Sequence, residues 1–431
     1  VVEDGETLWE NAAKKAREKV EARCAEEQER GGQGDDSGGD GIDTGFVLEC
    51  LAANELGDAM LYAALNRERF VYCRHSPEHG EWLEWTGHHW RLDRRCSSKA
   101  AVDDVALKYL ETRNELWNQQ SEANRAGDKD KAKRLFRQVN ELEKRANSLR
   151  TDPKQKRILA MVETNIEDMI VEGERFDADP WLLAFSNCVV DLKTGRARPG
   201  RRDDYLIKAC PIEWNGIETD RAVWETMLMQ IYGGDEDKIA FLKRLLGYAV
   251  TGLSREHVLP VMWGQGRNGK GVIIGALNEV LGDLAAPVPA EMLLDQGKNS
   301  RSAAAPTPEI MALRGLRIAY GSETDEGRKI STSRAKWLSG GDKLVGKYPY
   351  DKYLTTFDPT HTLFLITNHK PHAPASDFAF WERAKLISHP VSFVDREPRA
   401  ANERHQDKDL PDKLKAELPG IAAWLVQGCL L

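Results

Sequence analysis

Residues 258–282, VLPVMW followed by GQGRNGKG and VIIGALNEVLG, constrain the fold more than any other stretch. A continuous apolar run of strand length, a glycine-rich loop and apolar residues at helical spacing predict a strand, a tight turn and a helix ending at Gly282. A helix entered this way packs against the strand that feeds it, so the segment belongs to an α/β core. Gly264, Gly266 and Gly269 let backbone N–H groups converge where the helix begins, and a helix N-terminus favours anionic oxygens. Lys270 adds a point charge that reaches terminal phosphates. Together with Asn268 and Gly271, these residues form a predicted nucleoside triphosphate site. A glycine turn without a ligand is the alternative.

One position departs from the pattern G-x-x-x-x-G-K-[ST]. Gly271 stands where a Ser or Thr hydroxyl would ligate Mg²⁺, so the metal has to be held by phosphates, water and acidic side chains from elsewhere. Downstream, LRGLRIAYGSETDEG reads as a strand over Leu316–Tyr320 that delivers Glu323, with Asp325 and Glu326 close behind. An acidic residue at a strand end suits polarising an attacking water, and Glu323 and Asp325 are the predicted metal-side carboxylates. Residues 324–327 also read as a plain solvated acidic turn. A third strand, THTLFLITNHKP, carries Asn368 at its polar end, where an amide can orient water against a terminal phosphate.

The rest of the chain sets these strands in context. Residues 5–30 read as a charged helix, and GGQGDDSGGDG at 31–41 has the composition of a flexible linker. From Phe46 onward, LECLAANELGDAMLYAAL has helical spacing, and RFVYC and EWLEWTGHHWRLD read as short strands around a glycine turn. Residues 101–150 predict an exposed helical hairpin split at Ala126-Gly127-Asp128, with apolar positions including Leu107, Leu116, Trp117, Leu135 and Leu142. A further helix is expected over 154–172, then a β-hairpin region over 181–214, then two helices over 221–252 broken at Gly233-Gly234. Seven cysteines without a C-x-x-C pair argue for reduced thiols and a cytoplasmic setting. No apolar run reaches the roughly 18 residues a membrane span needs, so no membrane partner is expected. A net charge of -8 leaves nucleic-acid binding open, since a local basic surface suffices for it. The chain begins at Val1, which suggests processing or a piece of a longer protein.

Taken in order, GQGRNGKG, LRGLRIAYGSE, KWLSGGDKLVGKY, TNHKP, DFAFWERAKLISHPVSF and DLPDKLKAELPGIAAWLVQG resemble superfamily 3 helicases of the phage and plasmid primase/helicase group, related to the poxvirus primase-helicase. WLLAFSNCVVDLKTGRARPGRRDDYL is similar to the N-terminal helicase-associated domain of that group. The likeness covers roughly residues 46–431 and implies three regions. They are a charged helix and linker over 1–45, a mixed α+β helicase-associated region with the helical hairpin over 46–220, and an AAA+-like P-loop ATPase core over 221–431. The resemblance implies ATP and Mg²⁺ as cofactors and a homo-oligomer, a hexameric ring by the family pattern, that moves on single-stranded and forked DNA. A primase or polymerase domain or partner would accompany it, in a bacterial host if phage or mobile-element encoded. It also implies catalytic roles for Lys270, Glu323 and Asn368, and for Arg383 as the arginine that completes a neighbour's site. Glu382 occupies the place of the family's other arginine, and an Arg383 paired on the surface with Glu382 or Asp377 is the alternative.

Between Glu323 and Asn368, WLSGGDKLVGKYPYDKYLTTF suits a hairpin with alternating lysines and aromatics. Lys343, Lys347 and Lys352 are the DNA-contact candidates, because cations track phosphates and aromatics stack on bases. A solvated lysine-rich hairpin fits the same residues. Cys73, His75, His79 and Cys96 match no standard zinc spacing, and the surrounding tryptophans suffice for a small core. The Arg196–Arg202 run fits an exposed hairpin better than a nucleic-acid surface. Two functions compete with a helicase. One is a nucleotide-dependent DNA-binding or loading module with slow hydrolysis, which Gly271 favours; the other is a nucleotide-binding scaffold with no nucleic-acid role.

Overall fold

The computed structural model describes residues 42–76, 79–295, 306–323, 329–349, 353–370 and 372–431. The expected charged helix and linker, Asp325 and Lys352 lie outside the described residues. The chain divides into two compact units, one of residues up to 85 with 91–173, the other of 86–90 with 174–431. Among the described residues no helix is long and apolar enough to cross a membrane.

In the first unit, helices α1 (Thr44–Ala52) and α2 (Asn54–Asn66) divide what the spacing reads as one run. Asp43 caps α1 by accepting from the Phe46 N–H at 2.7 Å, and Asn54 breaks the helix with a φ of +57°. The second helix then folds back so tightly that a Cβ at Gly57 would lie 1.8 Å from the Cys50 carbonyl oxygen, which only glycine permits. Strands β1 (Phe70–Ser76) and β2 (His79–Trp85) pair antiparallel, β3 (Trp90–Leu92) adds to the far side of β2, and β4 (Ile170–Glu172) adds beside β1, giving the sheet order β3-β2-β1-β4. Helices α3 (Val102–Arg125) and α4 (Lys129–Leu149) pack around a seam that buries Val105, Leu116, Leu135, Val139 and Leu142. Leu107 and Trp117 lie off that seam and stay about half exposed, at 46% and 48%.

The helix expected over 154–172 is shorter than its apolar spacing predicts. Helix α5 covers Asp152–Asn165, and Ile170–Glu172 is strand β4, which pairs parallel with Tyr72–Arg74 of β1. β-branched Ile170 and Val171 favour an extended backbone once a neighbouring strand accepts their hydrogen bonds.

The second unit opens with a small sheet of β5 (Leu182–Phe185), β6 (Val189–Asp191), β7 (Arg196–Arg198) and β8 (Ala209–Cys210), in the order β7-β6-β5-β8. Helices α6 (Ala222–Ile231) and α7 (Glu236–Thr251) follow, parted by the glycine pair. Asp235 caps α7 through the Lys238 N–H at 3.0 Å, and Gly252 ends it at a φ of +72°.

Next come β9 (Leu259–Trp263), α8 (Lys270–Leu281), β10 (Ala285–Pro287), β11 (Ile318–Glu323), α9 (Thr332–Leu338), and the antiparallel pair β12 (Leu344–Gly346) and β13 (Thr355–Phe357). They are followed by β14 (Thr362–Thr367), α10 (Phe378–Arg383) and β15 (Ala384–Ser388). Five of these strands form one parallel sheet in the order β10-β11-β14-β9-β15, so the protein is a mixed α/β fold built on a parallel sheet. Helices α11 (Leu410–Ala416) and α12 (Leu418–Cys429) close the chain. Helix α12 is apolar nearly all round and is buried accordingly; its Trp424 meets Trp224 of α6 edge-on, with ring centroids 5.6 Å apart.

Strand β11 begins two residues later than the sequence pattern predicts. Arg317, just before it, is only 3% exposed and points its guanidinium inward. It donates to the carbonyls of Asp179, Pro180 and Leu182 at 3.4, 3.2 and 3.3 Å and to that of Thr251. The arginine therefore ties the small sheet and the end of α7 to the parallel sheet, a task incompatible with a side chain alternating along a strand.

Candidate functional site

The parallel register brings three strand ends to one level. Glu323 of β11 pairs with Thr367 of β14, and Thr367 pairs with Trp263 of β9. Gly264 directly follows Trp263, Asn368 directly follows Thr367, and the Gly264 N–H donates to the Thr367 carbonyl at 3.3 Å. Ligands of open parallel sheets bind off this carboxyl edge.

The 264–270 loop leaves β9 and becomes the N-terminus of α8. Gly266 and Gly269 hold φ values of +88° and +83°, and Arg267 between them holds +47°. The loop wraps the Asn268 side chain, so a Cβ at Gly264 would meet the Asn268 Nδ2 at 2.2 Å, and one at Gly269 would meet Ile231 at 2.4 Å. Asn268 is 3% exposed, and its Nδ2 has no acceptor among the described residues. A buried amide donor left unpaired costs about 1–3 kcal/mol, a penalty that an incoming anion removes.

Lys270 is 6% exposed, and burial lowers the pKa of its ammonium below the usual lysine value. The side chain folds back to donate to the Gly264 carbonyl at 2.6 Å and to the Asn368 Oδ1 at 3.4 Å. Asn368 is presented by a local turn in which the Thr367 hydroxyl donates to the His369 carbonyl and accepts from the His369 N–H, both at 3.0 Å. An orphaned buried donor and a buried ammonium at a helix N-terminus suit a polyphosphate, whereas the Gly264 and Gly266 N–H groups are taken by the Thr367 and Gly264 carbonyls. For Mg²⁺ the fit is thinner: Gly271 contributes no oxygen, although a Cβ built there has no atom within 4 Å. Of the two predicted metal-side residues, Glu323 ends β11 at this edge, and Asp325 lies outside the described residues. Among the described residues no group of three or more His, Cys, Asp or Glu is arranged to hold a metal.

The other predicted residues lie apart from this edge. Arg383 ends α10 and precedes β15, whose first residue Ala384 pairs with Leu259 at the amino-terminal end of β9. A strand of five residues separates that end from the loop, roughly 16 Å at about 3.3 Å per residue. Arg383 Nη1 donates to the Ala379 carbonyl at 3.1 Å, and its Nε is buried without a partner among the described residues. Asp377, an expected surface partner, instead pairs with Lys336 at 3.0 Å and caps α10. Lys343 and Lys347 flank β12; Lys343 is exposed and 3.5 Å from the Asp358 carboxylate, and Lys347 bonds through its backbone to Thr307. The β12–β13 pair also exposes Val345, Tyr348, Tyr353 and Leu354.

Two sets of contacts at the site have no signature in the sequence. The Tyr232 hydroxyl lies 3.0 Å from His389 Nε2, although 157 positions separate them, and the His389 N–H donates to the Trp263 carbonyl at 2.9 Å. Lys370 Nζ sits 4.9 Å above the Trp263 ring, a cation–π contact under the loop. Both join segments that only the folded sheet brings together.

Residues 59–233 match the family model described as D5 N terminal like. A candidate helicase of Acanthamoeba polyphaga mimivirus is 24% identical over 360 residues, which cover 81% of this chain and 36% of that protein. One from Invertebrate iridescent virus 3 is 27% identical over 282 residues, covering 63% of this chain and 29% of the relative. The chain thus spans about a third of the length of the curated relatives it matches. Among solved structures, the apo C-terminal region of NrS-1 is 12% identical with a TM-score of 0.36, covering 57% of this chain and 69% of that one. The chain carries a D5 N-terminal-like domain over residues 59–233 and is a distant homologue of viral candidate helicases.

Proposed function

We propose that this chain is the ATP-hydrolysing part of a DNA helicase of phage, viral or mobile-element replication, working as a ring on single-stranded DNA. One observation carries the reading: Gly264–Lys270, Asn368 and Glu323 meet at the carboxyl edge of one parallel sheet. In this reading the sheet and its loop are an AAA+-like P-loop core. The loop N–H groups, Asn268 and Lys270 hold the triphosphate of ATP, Glu323 polarises the attacking water, and Asn368 orients it. Mg²⁺, when bound, neutralises phosphate charge, and Glu323, with Asp325 behind it in the chain, is the carboxylate that would hold it or its water.

Arg383 supports the oligomeric half of the reading. Its place at the amino-terminal end of β15 keeps it from its own loop, which suits an arginine offered to a neighbouring copy in a hexamer. The β12–β13 pair and its connection, with Lys343, Lys347 and Lys352, are the proposed DNA contact, and the exposed Tyr348 and Tyr353 are the proposed stacking platforms. A primase or polymerase domain or partner would feed such a motor in the cytoplasm of the host cell.

Gly271 favours a second reading, a loading module that binds nucleotide and DNA but hydrolyses slowly. DNA-stimulated ATPase and unwinding of a forked duplex, both lost in Lys270→Ala, are the result expected of a helicase. Nucleotide-dependent assembly on single-stranded DNA with negligible turnover would replace it with the loading module. Absence of any DNA effect would leave neither.

A further inference from the structure

Beside the 264–270 loop a cavity of about 190 Å³ opens between three segments that are distant in sequence. The end of α6 contributes Gln230 and Ile231, the loop and first turn of α8 contribute Arg267 and Val272, and the segment after β15 contributes Phe393 and Gln406. That last segment hangs directly on the loop, because the Phe393 N–H donates to the Arg267 carbonyl at 2.7 Å. Gln406 is fixed in turn by its N–H to the Val394 carbonyl at 2.8 Å.

We propose that this cavity is the nucleobase subsite and that Phe393 forms its stacking wall. The proposal rests on the reading of the loop as a triphosphate site and adds which residues receive the rest of the nucleotide. Ile231, Val272 and Phe393 give the cavity apolar faces that suit a planar aromatic base, while Arg267, Asp407 and Lys408 supply charge in the same lining. The Gln230 and Gln406 amides supply donors and acceptors for the polar edge of a base. The position is also right for one ligand: Gly269 belongs to the cavity lining and is the N-cap of α8, so a chain of phosphates at the helix end leads into it.

The test compares ATP with inorganic tripolyphosphate, which carries the charge and lacks the base, by calorimetric titration at fixed Mg²⁺. Wild-type protein is expected to bind ATP at least tenfold more tightly. Phe393→Leu should remove most of that advantage, a loss on the order of tenfold for a base–aromatic stack, and leave tripolyphosphate binding unchanged. Val272→Trp, which fills the cavity from the half-buried first turn of α8, should do the same, so the result does not hang on one variant's folding. Equal wild-type affinity for the two ligands, or equal weakening of both in each variant, overturns the subsite and leaves the phosphate loop standing. Binding of neither ligand by folded wild-type protein overturns the triphosphate reading itself.

Discussion

The Lys270 ammonium lies 3.4 Å from the Asn368 amide oxygen, which joins the head of α8 to the end of β14, the strand paired with β9. In this arrangement lysine and asparagine have separable tasks. Lys270→Ala removes a charge-assisted contact to phosphate and should weaken ATP binding by roughly tenfold to a hundredfold. Asn368→Ala should leave binding within about twofold and lower kcat, because the amide acts on the attacking water. Calorimetry and steady-state ATPase on the two variants check the split.

Gly271 is the position where the sequence withholds a metal ligand and the structure leaves room for one. It sits in the first turn of α8, outside the positive-φ residues, with open space where a Cβ would go. Gly271→Ser should therefore fold, gain up to about 0.5 kcal/mol of helix stability, and lower the Mg²⁺ concentration for half-maximal ATPase several-fold. A Mg²⁺ titration identical to wild type would show that the metal never approaches this turn.

Arg383 and Lys270 serve different copies of the chain if the ring reading holds, since they occupy opposite edges of one sheet. Each of Arg383→Ala and Lys270→Ala should lose at least about a hundredfold in ATPase alone. Mixed before assembly, the two variants create some interfaces with both residues intact, and activity should return to roughly a quarter of wild type by random mixing. A mixture no more active than its components would place Arg383 outside the reaction.

How far the fold is legible from sequence depends on how local the information is. The run from Val258 to Gly282 encodes strand, loop and helix within itself, and Asp235 and Gly252 mark the limits of α7 by capping chemistry alone. Strand β4 is not legible this way, because Ile170 and Val171 become strand only when β1 offers its edge. The contacts of Arg317, Tyr232 and His389 are hidden for the same reason: each is set by segments far away in the chain. Within the candidate site, the residue types of the loop are legible, while the edge on which Arg383 sits requires the order of the strands.

Arg317 gives a stability prediction independent of function. Its guanidinium satisfies carbonyls from Asp179, Pro180, Leu182 and Thr251 in a site where water cannot replace it. Arg317→Met fills part of the volume and strands those acceptors, which should cost about 3–5 kcal/mol. Urea unfolding should show a lower midpoint with the slope retained. A loss under about 1 kcal/mol would mean that the carbonyls find other donors.

The last prediction concerns acid. Burial is the main cause that pushes the His389 imidazole down to about 4, helped by the nearby Lys270 charge. His361, buried under α9, is likewise lowered to about 4. A folded-state pKa below the unfolded value near 6.5 means that the unfolded chain binds more protons between the two. The stability from each neutral histidine is therefore complete above about pH 6.5 and lost as pH falls through 4, by about 2–3 kcal/mol each at pH 4.5. Asp58, in the other unit, acts in the opposite sense: burial raises its carboxyl to about 6, and its protonation there favours the folded state. A comparison of His389→Gln with wild type cancels both Asp58 and His361. The glutamine amide can still meet the Tyr232 hydroxyl and does not titrate. Its deficit in stability should be largest at pH 7.5 and shrink by about 2 kcal/mol at pH 4.5, as read from thermal or urea unfolding at both pH values. A deficit constant across that range would mean that His389 is already protonated, or already solvated, in the folded protein.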